Sequence, residues 1–153
     1  MKYYFNNPER IEALHSECES WLGTRFAQGL SEKGEGVDCV RFVIAVLNAS
    51  GVPVSQLGTL PAYSVHEGRH SEHTALLRWL AEDDNAKQHL EHVEDIQAGD
   101  LLACKIRRGA NHLGIAHDKK TMWHCDMRSG VRHISLMPFK HIYAYRLLNN
   151  FDQ

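Results

Sequence analysis

At 153 residues, 43% of them apolar and only four of them proline, the chain is long enough to bury one sizeable core without covalent staples and needs no second domain. A formal charge of −2, with 17 scattered lysines and arginines, excludes the basic stripe that holds nucleic acid. No stretch is long and apolar enough to span a bilayer, and the four cysteines show neither paired spacing nor a disulfide-rich framework, so reduced thiols are expected.

The first residues, Met1 to Pro8, lack the apolar run and small-residue cleavage site of a secretory signal, and synthesis in the cytoplasm without a signal peptide is expected. Asn7 is placed to cap a first helix with Pro8 at its first position. Ile11, Leu14, Cys18, Trp21 and Leu22 make its apolar stripe until Gly23 ends it. Gly34-Glu35-Gly36-Val37-Asp38 reads as loop, and Val40, Phe42, Val43, Val46 and Leu47 then fall at helical spacing as far as Gly51. Asp38 is the expected N-cap and Cys39 the first helical residue. A thiol there feels the positive end of the helix dipole and unpaired backbone N–H groups, both of which favour the thiolate a nucleophile needs. A lone cysteine in a core helix can equally be a small apolar filler.

From Gly51 to His70 the chain, with Pro53 and Pro61, reads as an extended connector. A third helix is expected from near Ser71 through Leu76, Leu77 and Leu80. The acidic run Glu82-Asp83-Asp84 opposes a helix C-terminus, so a separate short helix through Leu90 is expected to follow. The period then changes to alternation. Asp100 to Ile106, His112 to His117, Thr121 to Asp126, Val131 to Leu136 and His141 to Leu148 read as five strands in a meander. Helices first and strands afterwards is an α+β organisation. Tyr143 and Tyr145 alternate with Ala144 as sheet packing does.

The polar break at Asp118 to Lys120 makes residues 112–124 a β-hairpin. Its symmetry puts His112 and His124 on one face, directly opposite or diagonal. Two imidazoles on one face are a base and an orienting group for a thiol nucleophile, although with 11 histidines in the chain some pair would satisfy most spacing rules. A zinc site built from His112, His117, His124, Cys125 and His133 is disfavoured, because His124 and Cys125 are adjacent and point to opposite faces of a strand. Neither a metal nor another cofactor is expected.

Gly36-Val37-Asp38-Cys39-Val40-Arg41-Phe42-Val43, Ala98-Gly99-Asp100-Leu101-Leu102, His112-Leu113-Gly114-Ile115 and Trp123-His124 together resemble the NlpC-type cell-wall cysteine endopeptidases. The order Cys, His, His and the twelve-residue step between the histidines match that family's pattern, over about Trp21 to Leu147. Trp21-Leu22-Gly23-Thr24, Leu60-Pro61-Ala62-Tyr63-Ser64 and Arg107-Arg108-Gly109-Ala110-Asn111-His112 are most similar to the branch found in phage tail-assembly and prophage gene clusters. The resemblance implies a permuted papain-like fold in one domain over residues 1–153, with the cysteine-bearing helix packed on a five- to six-stranded antiparallel sheet. It implies Cys39 as nucleophile, His112 as general base and His124 as the residue orienting the imidazole. The substrate would be peptidoglycan stem peptides, cut between D-glutamate and a diamino acid. A phage tail would carry the chain to the wall, with tail proteins as partners. Asp38, Phe26 and Arg41 are the candidates for substrate contact: Phe26 stands where many members carry a tyrosine, and Val40-Arg41 replaces their Ser-Gly. A tail-assembly protein that keeps the fold with altered catalysis, and a related Cys-His amidase or acyltransferase, are the other readings of the same residues.

Overall fold

The computed structural model describes residues 1–59, 74–106 and 109–152. Helix α1 (Pro8–Ser20) starts as its sequence dictates: Asn7 Oδ1 accepts the N–H groups of Glu9 at 2.8 Å and Arg10 at 3.3 Å, and Pro8 fills the first position. It ends two residues earlier than the apolar stripe implies. Trp21 is its C-cap, so Leu22 falls out of helical phase and is 51% exposed, while Leu14, Cys18 and Trp21 are buried.

Two short strands, β1 (Ser31–Glu32) and β2 (Gly36–Val37), form a hairpin in the loop leading to α2 (Cys39–Ala49). Helix α2 is apolar on most of its surface and lies deep: Cys39, Val40, Phe42, Val43, Val46 and Leu47 are all buried. Beyond it Val54–Leu57 forms a 3₁₀ turn within the expected connector, whose remainder from residue 60 lies outside the described residues.

Helix α3 (Ala75–Glu82) begins four residues later than the expected Ser71, because the Thr74 hydroxyl caps it by accepting the Leu77 N–H at 3.3 Å. The acidic run that ends α3 has a second use. Asp83 Oδ1 accepts the N–H groups of Asn85 and Ala86, both at 2.9 Å, and so starts α4 (Ala86–His89). Leu90 is strand rather than helix, since Leu90–Val93 (β3) finds a ladder partner in the last strand.

The remaining strands are β4 (Leu101–Ile106), β5 (Gly109–Ala116), β6 (Thr121–Asp126), β7 (Gly130–Ser135) and β8 (Ile142–Leu147). They join β3 in one antiparallel six-stranded sheet of order β3-β8-β4-β5-β6-β7. From β4 to β7 this is the expected meander, but β8 does not continue it. The chain crosses back over the outer face, where Leu136 and Phe139 pack on Leu102, Cys104, Ala116, Met122 and Ala144, and β8 then pairs with β4. The inner face carries the larger core, in which α2 lies on β5 and β6 against Leu113, Ile115, Trp123 and Cys125. Each such buried side chain contributes roughly 1.5–3 kcal/mol.

A buried ion pair ties β8 to the turn before β4. Arg146 Nε and Nη2 donate to the two oxygens of Asp100, each at 2.9 Å, and Asp100 Oδ2 also accepts the Gln97 N–H. In that turn Gly99 has φ +90°, and a Cβ there would meet the Phe5 ring at 2.6 Å, so glycine is required.

Candidate active site

The loop before α2 is stitched to it from several sides. Val37 O accepts the Ala27 N–H at 3.0 Å and the Cys125 thiol at 3.2 Å, and Val37 N–H donates to Arg25 O. Asp38 is extended (φ −96°, ψ 174°) and caps the helix, Oδ1 accepting the Arg41 N–H at 2.8 Å. Its Oδ2 accepts the Gly29 N–H and Arg41 Nη1, both at 2.8 Å. The fully buried carboxylate is thus held by its own chain, and Arg41 is drawn back along the helix to pair with it. Phe26 bridges to Val37 and packs half-buried against the core, so its ring brings no hydrogen-bond donor to the loop ahead of the cysteine. Cys39 follows as the first residue of α2, fully buried.

The sheet forks between β5 and β6, the strands on which that helix packs. The β5–β6 ladder runs through Ala116↔Met122 and Ile115↔Trp123 to Gly114↔His124, and stops there, although β5 reaches back to Gly109 and β6 on to Asp126. The hairpin is centred one residue past Asp118, on Lys119, and His112 is therefore diagonal to His124 rather than opposite. On the other side His112 pairs with Cys104 of β4, and the register slips by one residue just beyond it, a bulge that bends β5 at the fork. Cys39 lies close enough to Cys104 and Cys125 for its charge to act on both. Their thiols are pushed up to about 12, by burial first and by Cys39 in addition. They therefore stay protonated at neutral pH.

His112 Nε2 and His124 Nδ1 are 2.6 Å apart, with ring centroids 4.8 Å apart and planes at 85°. One of the two nitrogens must carry the proton between them. The contact takes up Nε2 of His112, and Nδ1 is its other nitrogen. Both rings are at least nine-tenths buried. Burial pushes both imidazoles well below their ordinary range. The neighbouring His124 lowers His112 further, Asp126 pulls both back up, and Arg132 lowers His124. Opposite His124, a Cβ on Gly114 would meet Met122 Sδ at 2.5 Å and the Trp123 carbonyl at 3.0 Å.

The structure thus brings His112 and His124 into contact where the β5–β6 ladder ends, on the two strands against which the helix that begins with Cys39 packs, and sets Asp38, Arg41 and Phe26 around the entry to that helix. Three neighbours escape the sequence reading. Asp126 shares the His124 face two residues on, which strand alternation alone could have found. Arg132 is the cross-strand partner of His124. Phe139, from the return loop, lies nearly parallel to His112 with centroids 6.4 Å apart, and no local pattern announces it.

The histidines and cysteine weighed for zinc are dispersed. His117 and His133 lie with His15 and Trp123, away from the His112–His124 contact, and Cys125 points at Val37 O. Among the described residues no three His, Cys, Asp or Glu side chains converge to hold a metal ion. Among those residues no helix is long and apolar enough to cross a membrane.

A cysteine-bearing helix laid on an antiparallel sheet that carries two histidines in contact is the permuted papain-like architecture. Residues 23–148 match the NlpC/P60 family, and the chain belongs to it. Its fold is similar to that of the NlpC/P60 domain of the peptidoglycan hydrolase SagA (TM-score 0.55, 18% identity, covering 90% of this chain and 97% of that one). It is also similar to a lipoprotein-like protein of the NLP/P60 family from Staphylococcus aureus Mu50 (TM-score 0.60, 14% identity, 94% of this chain). This chain spans 43% of the length of that staphylococcal protein. No curated protein matches.

Proposed function

We propose that the protein is a cysteine peptidase that hydrolyses stem-peptide amide bonds of peptidoglycan, of the D-glutamyl–diamino acid endopeptidase type. The reading is carried by the buried 2.6 Å contact between His112 and His124 at the fork of the sheet, on the two strands against which the helix that opens with Cys39 packs. The Cys39 sulfur attacks the amide carbonyl, its proton passes to His112, and His124 holds the His112 ring and shares its charge. Backbone N–H groups at the start of α2 stabilise the oxyanion. As the tetrahedral intermediate collapses, His112 returns the proton to the leaving amine, and water then releases the acyl group from sulfur. Arg41, half-exposed beside the nucleophile, and Phe26 border the place where the substrate approaches.

The test is mass spectrometry of purified muropeptides incubated with the wild type and with Cys39→Ala. Fragments that appear with the wild type alone support the reading and identify the bond. Hydrolysis that survives in a folded Cys39→Ala protein overturns it. The pairing of Arg41 with Asp38 and the lack of a donor on Phe26 favour one second reading, a fold kept for assembly, in which neither protein yields product. An amidase or acyltransferase would use the same thiol and base, and its products differ in mass. Delivery to the wall is assigned to a phage or prophage tail, on the resemblance of the segments around Trp21 and His112. Detection of the chain in purified virions would support that assignment, and its absence from them would remove it.

A further inference from the structure

His124 is flanked by two opposite charges on the face it shares with His112. Arg132 is its direct cross-strand partner on β7, which sets the Cβ atoms about 4.5–5.5 Å apart. Asp126 follows two positions along β6 and so projects from the same face. Because the β5–β6 ladder ends at Gly114↔His124, Asp126 stands at the mouth of the fork, across from His112. The two histidines are buried, Asp126 is half-buried and Arg132 is exposed, its Nη1 resting 3.4 Å from Ser129 Oγ.

We propose that Asp126 and Arg132 are positioning residues of opposite sign: Asp126 favours positive charge on the histidine pair, Arg132 opposes it, and together they set how readily His112 takes the Cys39 proton. The inference rests on the reading of His112 as general base. In that step the S–H bond breaks, its electron pair stays on sulfur, and the proton makes His112 an imidazolium. Burial works against that cation. A base that resists the proton too strongly cannot activate the thiol, whereas one that holds it too readily is blocked before substrate arrives.

The electrostatics have the required signs, Asp126 raising both imidazoles and Arg132 lowering His124. Among the described residues the other groups beside the pair are the Cys104 thiol, cross-strand from His112 on β4, and the uncharged Phe139 ring, and Cys39 lies within reach of that same Cys104.

NMR titration of the imidazoles, assigned with His124→Gln, tests this in the folded protein. Asp126→Asn should lower the midpoints of His112 and His124, and Arg132→Gln should raise that of His124, each by on the order of half a pH unit. Acid unfolding reads the same quantity where it comes first: half-unfolding moves to higher pH in Asp126→Asn and to lower pH in Arg132→Gln. The acid limb of kcat/KM follows the midpoints in direction. A merely structural role would change thermal stability without these opposed shifts. Midpoints that stay put, or move the same way in both variants, overturn the proposal. A wild type without hydrolytic activity would defeat the peptidase reading, yet the titration would still decide the part played by the two charges.

Discussion

Two groups of histidines lie on or against β5, β6 and β7, apart from each other, and they meet in different ways. His112 and His124 meet through in-plane nitrogens, 2.6 Å apart with the rings at 85°. His15, His117 and His133 meet through ring packing: His15 stacks on His117 with centroids 4.3 Å apart, His133 stacks on Trp123 at 4.7 Å, and His117 and His133 lie tilted at 45° with centroids 4.4 Å apart. Nitrogens that point at each other can share a proton. Rings stacked or tilted against one another act as packing surfaces, here joining His15 of α1 to His117 beyond β5 and His133 of β7. Orientation therefore separates a proton-handling pair from a packing stack, where residue type and strand position alone do not.

Substitution should separate the two groups most sharply in activity. Cys39→Ala and His112→Ala are expected to reduce muropeptide hydrolysis by at least about 10³-fold. His133→Ala, in the stack, should stay within about twofold of wild type. Comparable losses from both groups would break the distinction. His124→Gln tests the middle ground, since an amide can hold the His112 ring without sharing its charge. A loss of about 10²-fold, mostly in kcat, is expected.

The pH dependence of stability sharpens the same contrast. Burial lowers the folded-state pKa of His112 and His124, so the unfolded chain binds more protons once the pH falls below about 6.5. Stability is therefore fully present above that pH and is lost as the pH falls towards the folded values, by up to about 1.4 kcal/mol per unit for each ring kept neutral. Denaturant midpoints between pH 7 and pH 5 measure this. His15 and His133 are shifted in the same direction, chiefly by burial and then by the stack itself. Leucine at His15 should flatten the pH slope without changing hydrolysis, whereas His124→Gln should change both.

Local chemistry accounts for what was legible beforehand. Asp38 as a cap and Cys39 as the first helical residue follow from side-chain type and helical spacing within ten residues of chain. A common face for His112 and His124 follows from strand parity, which survives the one-residue shift of the turn to Lys119. The strand order was not legible. The return of β8 to β4 and the addition of β3 depend on Leu136 and Phe139 crossing the outer face, a contact made across many residues of sequence. Leu22 continues the helical spacing but is exposed, because the helix stops at Ser20 and spacing alone does not announce that end. Arg132 and Phe139 come to the histidines through β7 and the return loop, and neither lies in a motif.

The smallest expected effect concerns the indole on which the stack rests. Trp123 is 3% exposed, and its Nε1 has no hydrogen-bond partner among the described residues, like His15 Nδ1 above it. A buried N–H without a partner forfeits about 1–3 kcal/mol of solvation. Trp123→Phe removes that penalty while losing part of the ring, and the two changes nearly offset, so unfolding by denaturant should shift by less than about 1 kcal/mol. Trp79 is equally buried but donates Nε1–H to Leu57 O at 2.9 Å. Trp79→Phe leaves that carbonyl without its donor as well as shrinking the ring, and should cost about 1–3 kcal/mol more than the change at Trp123. Equal costs at the two tryptophans would mean that the Trp123 N–H is satisfied, and that the histidine stack is held by more than ring packing.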